Sequence, residues 1–238
     1  MTQLTTCLSP QLLPLHQIQD KIVVVVDILR ATSSMVTAFA YNVESVTPVP
    51  TLADCRLFKN EGFVTAGERG GQKVEGFDLG NSPFDFMNHE LQGRHLAFTT
   101  TNGSQAIVLA SEAKQVLIGS FLNLSATAGY LMAQKSPVLI LCAGWKGNFN
   151  IEDTLYAGAL AQKLETTFEI SDDASLAAIT LYNGVAGHMK EFLGKSSHAK
   201  RLAGFKNQKD LEFCLKRDQF GFNVVLQNTR LLKLDPST

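Results

Sequence analysis

The sequence lacks most features that would place it in a specialised class. Its four cysteines, Cys7, Cys55, Cys142 and Cys214, lie far apart and form no C-x-x-C pair, so four reduced thiols are expected. No basic run occurs, and 21 Lys and Arg against 22 Asp and Glu leave a net charge of −1, so no nucleic-acid partner is expected. No apolar stretch approaches the roughly 20 residues that a membrane span needs. The N-terminus lacks a basic segment followed by an apolar core, so no signal peptide is read. A cytoplasmic protein with no membrane contact is the expectation.

Several catalytic signatures are missing as well. There is no G-x-x-x-x-G-K-[ST] phosphate loop, no G-x-G-x-x-G dinucleotide turn and no H-E-x-x-H or paired Cys/His zinc spacing. Asp27-x-Leu29 lacks the second Asp of the haloacid-dehalogenase phosphatases, and Arg94-His95-Leu96 lacks the glycine of the histidine phosphatases.

What is present is a strong alternation of short apolar runs with helix-length stretches. The 238 residues, 45% apolar, suffice for one large domain or two small ones. Strands are predicted over 22–26, 45–49, 63–66, 95–99, 115–119 and 138–142, with a further short one near 222–226. Helices are predicted over 31–40, 52–60, 102–110, 124–134 and 152–164. This βα rhythm predicts an α/β fold of three layers, with a largely parallel or mixed sheet between helices. After about residue 168 the chain reads as helices, over 174–184, 185–193, 197–202 and 209–220, packed on the sheet. The chain is read as a single domain over 1–238. Two similar halves, about 1–120 and 121–238, are the alternative, because 23–40 and 138–160 both run from buried strand through a carboxylate-bearing turn into an Ala-rich helix.

The most informative segment is Val23-Val24-Val25-Val26-Asp27-Ile28-Leu29-Arg30-Ala31-Thr32. A buried strand ends in a carboxylate and turns into a helix, at the sheet edge where open α/β folds bind ligands. Asp27 suits Mg²⁺, Arg30 suits a phosphate or sulfonate, and Thr32, Ser33 and Ser34 can cap the helix or reach the same anion. A structural Asp–Arg pair with a helix cap explains the same residues. Gly67-Glu68-Arg69-Gly70-Gly71 places Glu68 at the same edge as a second metal ligand, or is a surface turn. Gly80-Asn81-Ser82-Pro83 is a polar turn before a helix start. Thr99-Thr100-Thr101-Asn102-Gly103-Ser104 offers hydroxyls and backbone N–H groups as an anion cradle, beyond what a cap needs. In the segment 142–153, Lys146 can neutralise an anion, and Glu152 and Asp153 either bind metal or complement the helix dipole. Cys142 reads as a buried core thiol. In Ser197-His198-Ala199-Lys200-Arg201, His198 can serve as a general acid and Arg201 as an anion clamp, or both are solvated.

Taken in order, these segments resemble the 2-phosphosulfolactate phosphatase (ComB) family. The matching stretches are 25–33, 67–71, 80–83, 100–104 and 142–144, with Glu152-Asp153, Ala157-Gly158, Ser197-His198 and Arg201-Leu202. They cover nearly the whole chain from about residue 20 to 220. The chain departs near its end, where Phe222-Asn223-Val224-Val225-Leu226 stands in place of a proline-bearing approach to the last strand, a region expected to be peripheral to the site. The resemblance implies a three-layer α/β fold and a Mg²⁺-dependent phosphatase acting on (2R)-phospho-3-sulfolactate, of the coenzyme M biosynthesis type. On that reading Asp27, Glu68 and Asp153 bind Mg²⁺, with Glu152 as an alternative. Asp27 can instead be an aspartyl nucleophile. Arg30 and the 100–104 turn (Thr100, Thr101, Asn102, Gly103, Ser104) hold the phosphate, and Asn81, Ser82 and Lys146 the carboxylate or sulfonate. Another small phosphorylated hydroxy acid as substrate remains open, as does a non-catalytic binder of anionic small molecules. A homodimer is the default assembly.

Overall fold

The computed structural model describes residues 1–196 and 208–234. Eleven strands form one sheet: β1 (Thr2–Cys7), β2 (Ile22–Val26), β3 (Ser45–Pro48), β4 (Val64–Arg69), β5 (Gln72–Lys73), β6 (His95–Thr99), β7 (Gln115–Gly119), β8 (Val138–Cys142), β9 (Phe168–Ile170), β10 (Asn223–Gln227) and β11 (Arg230–Leu234). Their order across the sheet is β5-β4-β6-β3-β11-β10-β7-β2-β8-β1-β9. Two parallel blocks, β4-β6-β3 and β7-β2-β8-β1-β9, are joined by the antiparallel hairpin β10-β11.

The helices are α1 (Ala31–Ala40), α2 (Leu52–Asn60), α3 (Gly103–Leu109), α4 (Leu124–Gln134), α5 (Ile151–Leu164), α6 (Asp173–Val185), α7 (Met189–Leu193) and α8 (Gln208–Cys214). The alternation of side chains along β2 sorts the layers. Val23 and Val25 pack with Met35 and Phe39 of α1 and Ile107 of α3 on one face. Val24 and Val26 pack with Leu131 of α4, Leu155 and Leu160 of α5 and Ala178 of α6 on the other. Because both faces are covered, β2 is buried along its whole length, which is why it reads as an unbroken aliphatic run. Among the described residues, no helix is long and apolar enough to cross a membrane.

The three-layer α/β expectation holds, and most predicted strands and helices fall where they were placed. The C-terminal part differs. It is not helical throughout: α8 ends at Cys214, and the chain then enters the middle of the sheet as β10 and β11. The stretch expected to be peripheral to the site lies in the middle of the sheet, with Val224 and Val225 fully buried. A two-residue turn at Asn228-Thr229, with Asn228 at φ 54°, closes this hairpin. Strands β1, β5, β9 and β11 were not anticipated. The predicted helix over 197–202 lies outside the described residues.

Two features carry measurable consequences. Gly158 lets α5 and α6 approach closely: a Cβ there would sit 2.0 Å from the Ala178 carbonyl oxygen. Gly158→Ala is expected to destabilise by about 1–3 kcal/mol, read as a lower urea midpoint at unchanged slope. Asp78 accepts from Thr65 N at 2.9 Å and Oγ1 at 2.7 Å and from Lys59 Nζ at 2.8 Å. Burial alone would raise its pKa, but these bonds outweigh it and hold the carboxyl at about 2 against an ordinary 3.8. Its contribution is therefore present above pH 4 and lost as pH falls toward 2. Asp78→Asn should flatten that limb of the stability–pH curve.

Candidate active site

The site is built at the carboxyl ends of β2, β4, β6 and β8. Asp27 follows β2 directly and is 6% exposed. Its backbone is locked to the first turn of α1: Thr32 N and Oγ1 donate to the Asp27 carbonyl at 3.0 and 2.9 Å, and Asp27 N donates back to Thr32 Oγ1 at 3.1 Å. Ala31 N donates to Asp27 Oδ1 at 3.4 Å. The hydroxyls expected to cap α1 or meet an anion serve the fold instead. Ser33 Oγ donates to the Ile28 carbonyl and Ser34 Oγ to the Asn81 carbonyl, each at 2.9 Å. Buried hydroxyls need such partners.

Asp27 lies against the 100–104 turn. A Cβ on Gly103 would stand 2.7 Å from Asp27 Oδ2 and 2.6 Å from Ala31 Cβ, so only glycine permits this approach. The turn is held from within by Thr100 N to Ser104 Oγ at 2.9 Å and Ser104 N to Thr100 Oγ1 at 3.0 Å. Glu68 braces it from β4: Oε1 accepts from Thr101 N at 2.8 Å and Oε2 from Gly71 N at 2.7 Å. Asn102 Oδ1 accepts from Lys146 N at 2.9 Å, which fixes the turn after β8, where Lys146 has φ 48° and Gly144 φ 63°. The Lys146 ammonium lies over the Trp145 ring, 5.6 Å from its centroid. A cleft of about 290 Å³ opens here, lined by Thr101, Asn102, Lys146 and Gln11 among others.

Asp153, fully buried at the start of α5, joins the ends of β2 and β8. Its Oδ1 accepts from Ile28 N at 2.9 Å, and Oδ2 accepts from Gly144 N at 3.1 Å and Asn150 Nδ2 at 2.8 Å. Burial, then the neighbouring carboxylates of Asp27 and Glu152, push its carboxyl well above the ordinary range, and the donors from Ile28 and Asn150 only partly oppose this.

Arg30 is 5% exposed and ion-paired through Nη1 with Asp210 of α8, while Nη2 donates to the Gly71 carbonyl at 3.1 Å. Ser82 Oγ donates to the other Asp210 oxygen at 2.7 Å. Asn81 is buried and its Oδ1 meets no hydrogen-bond partner among the described residues; the same is true of Thr101 Oγ1.

The structure thus brings Asp27, Arg30, Glu68, Asn81, Ser82, the 100–104 turn, Lys146, Glu152 and Asp153 into one connected cluster. Ser197, His198 and Arg201 lie outside the described residues. Sequence reasoning missed Asp210 and Asn150. Asn150 was visible in principle as a helix cap three residues before Asp153, whereas nothing local marks Asp210.

Among the described residues, no three His, Cys, Asp or Glu side chains are grouped so as to hold a metal by themselves. Both Glu68 oxygens accept backbone N–H groups, and three donors converge on Asp153, so these two are accounted for as braces. Mg²⁺ does not need a full protein cage; one or two carboxylates with waters and substrate phosphate suffice. Asp27 and Glu152, buried acids close enough to perturb Asp153, fit that smaller set.

Gly103→Ala should keep the circular-dichroism spectrum. It should lower turnover of a phosphate monoester at least about tenfold, because the methyl group displaces Asp27 or the turn beside it.

Residues 7–229 match the family described as 2-phosphosulpholactate phosphatase. Curated relatives share this span. The chain is 38% identical over 219 residues, 90% of each protein, to a probable 2-phosphosulfolactate phosphatase of Caldanaerobacter subterraneus subsp. tengcongensis. It is 39% identical over 215 residues to one of Thermotoga petrophila, covering 90% of this chain and 93% of that protein. It is 36% identical over 235 residues to one of Microcystis aeruginosa, covering 94% and 96%. On the match to this family over residues 7–229 and the identity to these relatives, this chain belongs to the 2-phosphosulpholactate phosphatase family.

Proposed function

We propose that the chain hydrolyses 2-phosphosulfolactate to 3-sulfolactate and inorganic phosphate. The observation that carries this is the closed circuit of contacts around Asp27: through Gly103 to the 100–104 turn, through Glu68 to Gly71, and through Gly71 back to Arg30. Its members come from the ends of three strands, β2, β4 and β6, so the circuit serves one locus at that edge and no single element.

Phosphate monoester hydrolysis needs mainly positioning and charge neutralisation. Arg30, three residues beyond Asp27, contributes a guanidinium held by Asp210 and the Gly71 carbonyl. The 100–104 turn contributes backbone and the Thr101 hydroxyl, which has no partner within the described protein. Lys146 stands at the rim of the adjoining cleft and suits a second anionic group, a sulfonate or carboxylate. The buried Asn81 amide is completed by a ligand in the same way. Ser82 acts through Asp210.

Asp27 and Glu152 are buried acids at this edge, and carboxylate oxygens are what a hard divalent cation takes. Asp27 and Glu152 would hold Mg²⁺, which when bound would supply positive charge and polarise the phosphoryl oxygens. Water is the acceptor: its oxygen bonds to phosphorus, the ester P–O bond breaks, and the leaving alkoxide takes the proton that the attacking water gives up, which yields the hydroxyl of sulfolactate and inorganic phosphate. The four buried thiols, none in a disulfide, suit a reducing cytoplasmic setting.

Phosphate release from synthetic phosphosulfolactate, with phospholactate and an aryl phosphate as comparisons, tests this directly. Turnover of phosphosulfolactate that disappears with chelator and returns with Mg²⁺ is expected. Asp27→Ala should reduce it by at least about 100-fold while the protein stays folded. Release from none of the three by folded protein would discard the reading, and full activity in chelator would discard the metal.

A further inference from the structure

We propose that Asp210 is a positioning residue of this site: it fixes the Arg30 guanidinium, and through it helix α8 takes part in phosphate binding. This rests on reading the site as a phosphate site. Arg30 and Asp210 are 180 residues apart, with side chains only 6% and 5% exposed. Both Asp210 oxygens are used, one by Arg30 and one by Ser82 Oγ at 2.7 Å. Arg30 is also held at Nη2 by the Gly71 carbonyl. A planar guanidinium anchored at two nitrogens has its direction set, three residues beyond Asp27.

A buried ion pair gives the fold little net stability compared with apolar side chains in the same space. What this one does supply is orientation. The acid that holds Arg30 is itself held by the 80–83 turn, and that turn is joined to α1 by Ser34 Oγ and the Asn81 carbonyl. Arg30, α8 and the Asn81 turn are therefore one mechanical unit, and Asp210 is its hinge pin. Asp210 does not touch the reacting atoms in this scheme; it acts through Arg30.

A double-mutant cycle tests the assignment, with inorganic phosphate binding by calorimetry and phosphosulfolactate turnover as the two readouts. Asp210→Asn keeps the shape and the acceptor for Ser82 and removes the charge. It is expected to lower kcat/KM about 100-fold and to weaken phosphate binding about tenfold. In an Arg30→Met background the same change should alter both by less than about threefold, because its route of action is gone. Equal losses in both backgrounds would show a merely structural role and overturn the proposal, as would wild-type behaviour of Asp210→Asn. If Asp210→Asn fails to fold, Ser82→Ala, which frees one Asp210 oxygen and keeps the ion pair, replaces it in the cycle, with a smaller loss expected and the same non-additivity. Phosphate binding without phosphosulfolactate turnover would discard the substrate and leave the binding cycle to decide Asp210. No phosphate binding at all would overturn both.

Discussion

Three N–H groups converge on one buried carboxylate, Asp153, and the geometry of the site follows from that. Ile28 supplies one donor from the exit of β2, Gly144 another from the exit of β8, and Asn150 the third from the cap of α5. Two neighbouring strands are thereby tied at their carboxyl ends, and the turn carrying Asp27 and Arg30 cannot drift from the turn carrying Lys146. An amide of the same size would turn its NH2 toward at least one of these donors. Leaving a buried donor unmet costs about 1–3 kcal/mol. Burial and the neighbouring acids Asp27 and Glu152 push the Asp153 carboxyl well above the ordinary range, against the pull of these donors.

This explains why so much polar chemistry at the site is spent on scaffolding. Glu68 ties the end of β4 to the 100–104 turn, Thr32 and Ser33 lock the β2–α1 turn, and Ser82 and Asp210 hold Arg30. A site made from the ends of separate strands has no local element to define it. Its precision must come from side chains that bridge turns, and burying them requires that nearly every lone pair and proton find a partner. Asn81 Oδ1 and Thr101 Oγ1 are two of the buried atoms that meet no partner among the described residues.

Much of the site was legible in the sequence because local physics dictates it. A strand buried on both faces must be an aliphatic run, so the position of Asp27 at its end could be read directly. Glycine and hydroxyl clusters after later strands marked the other turns. What was not legible is non-local. The roles of Thr32, Ser33 and Ser34 depended on which carbonyls the fold brings near them. The partnership of Arg30 with Asp210 spans most of the chain. Strand β1 reads as polar threonines because it lies toward one margin of the sheet, and the hairpin β10-β11 is short and follows a helical stretch, so nothing nearby shows that its neighbours are β7 and β3.

That hairpin has a consequence for biosynthesis. Strands β10 and β11 are the last described elements of the chain, yet they fill the seam between two parallel blocks whose strands all precede them. Until residues 223–234 leave the ribosome, β7 and β3 each present an open inner edge bordered by buried valines and leucines. Such edges invite pairing with other chains. The nascent protein therefore passes through a state with two sticky margins that no earlier described strand covers, and its dependence on chaperones should be concentrated in the interval before the hairpin is made.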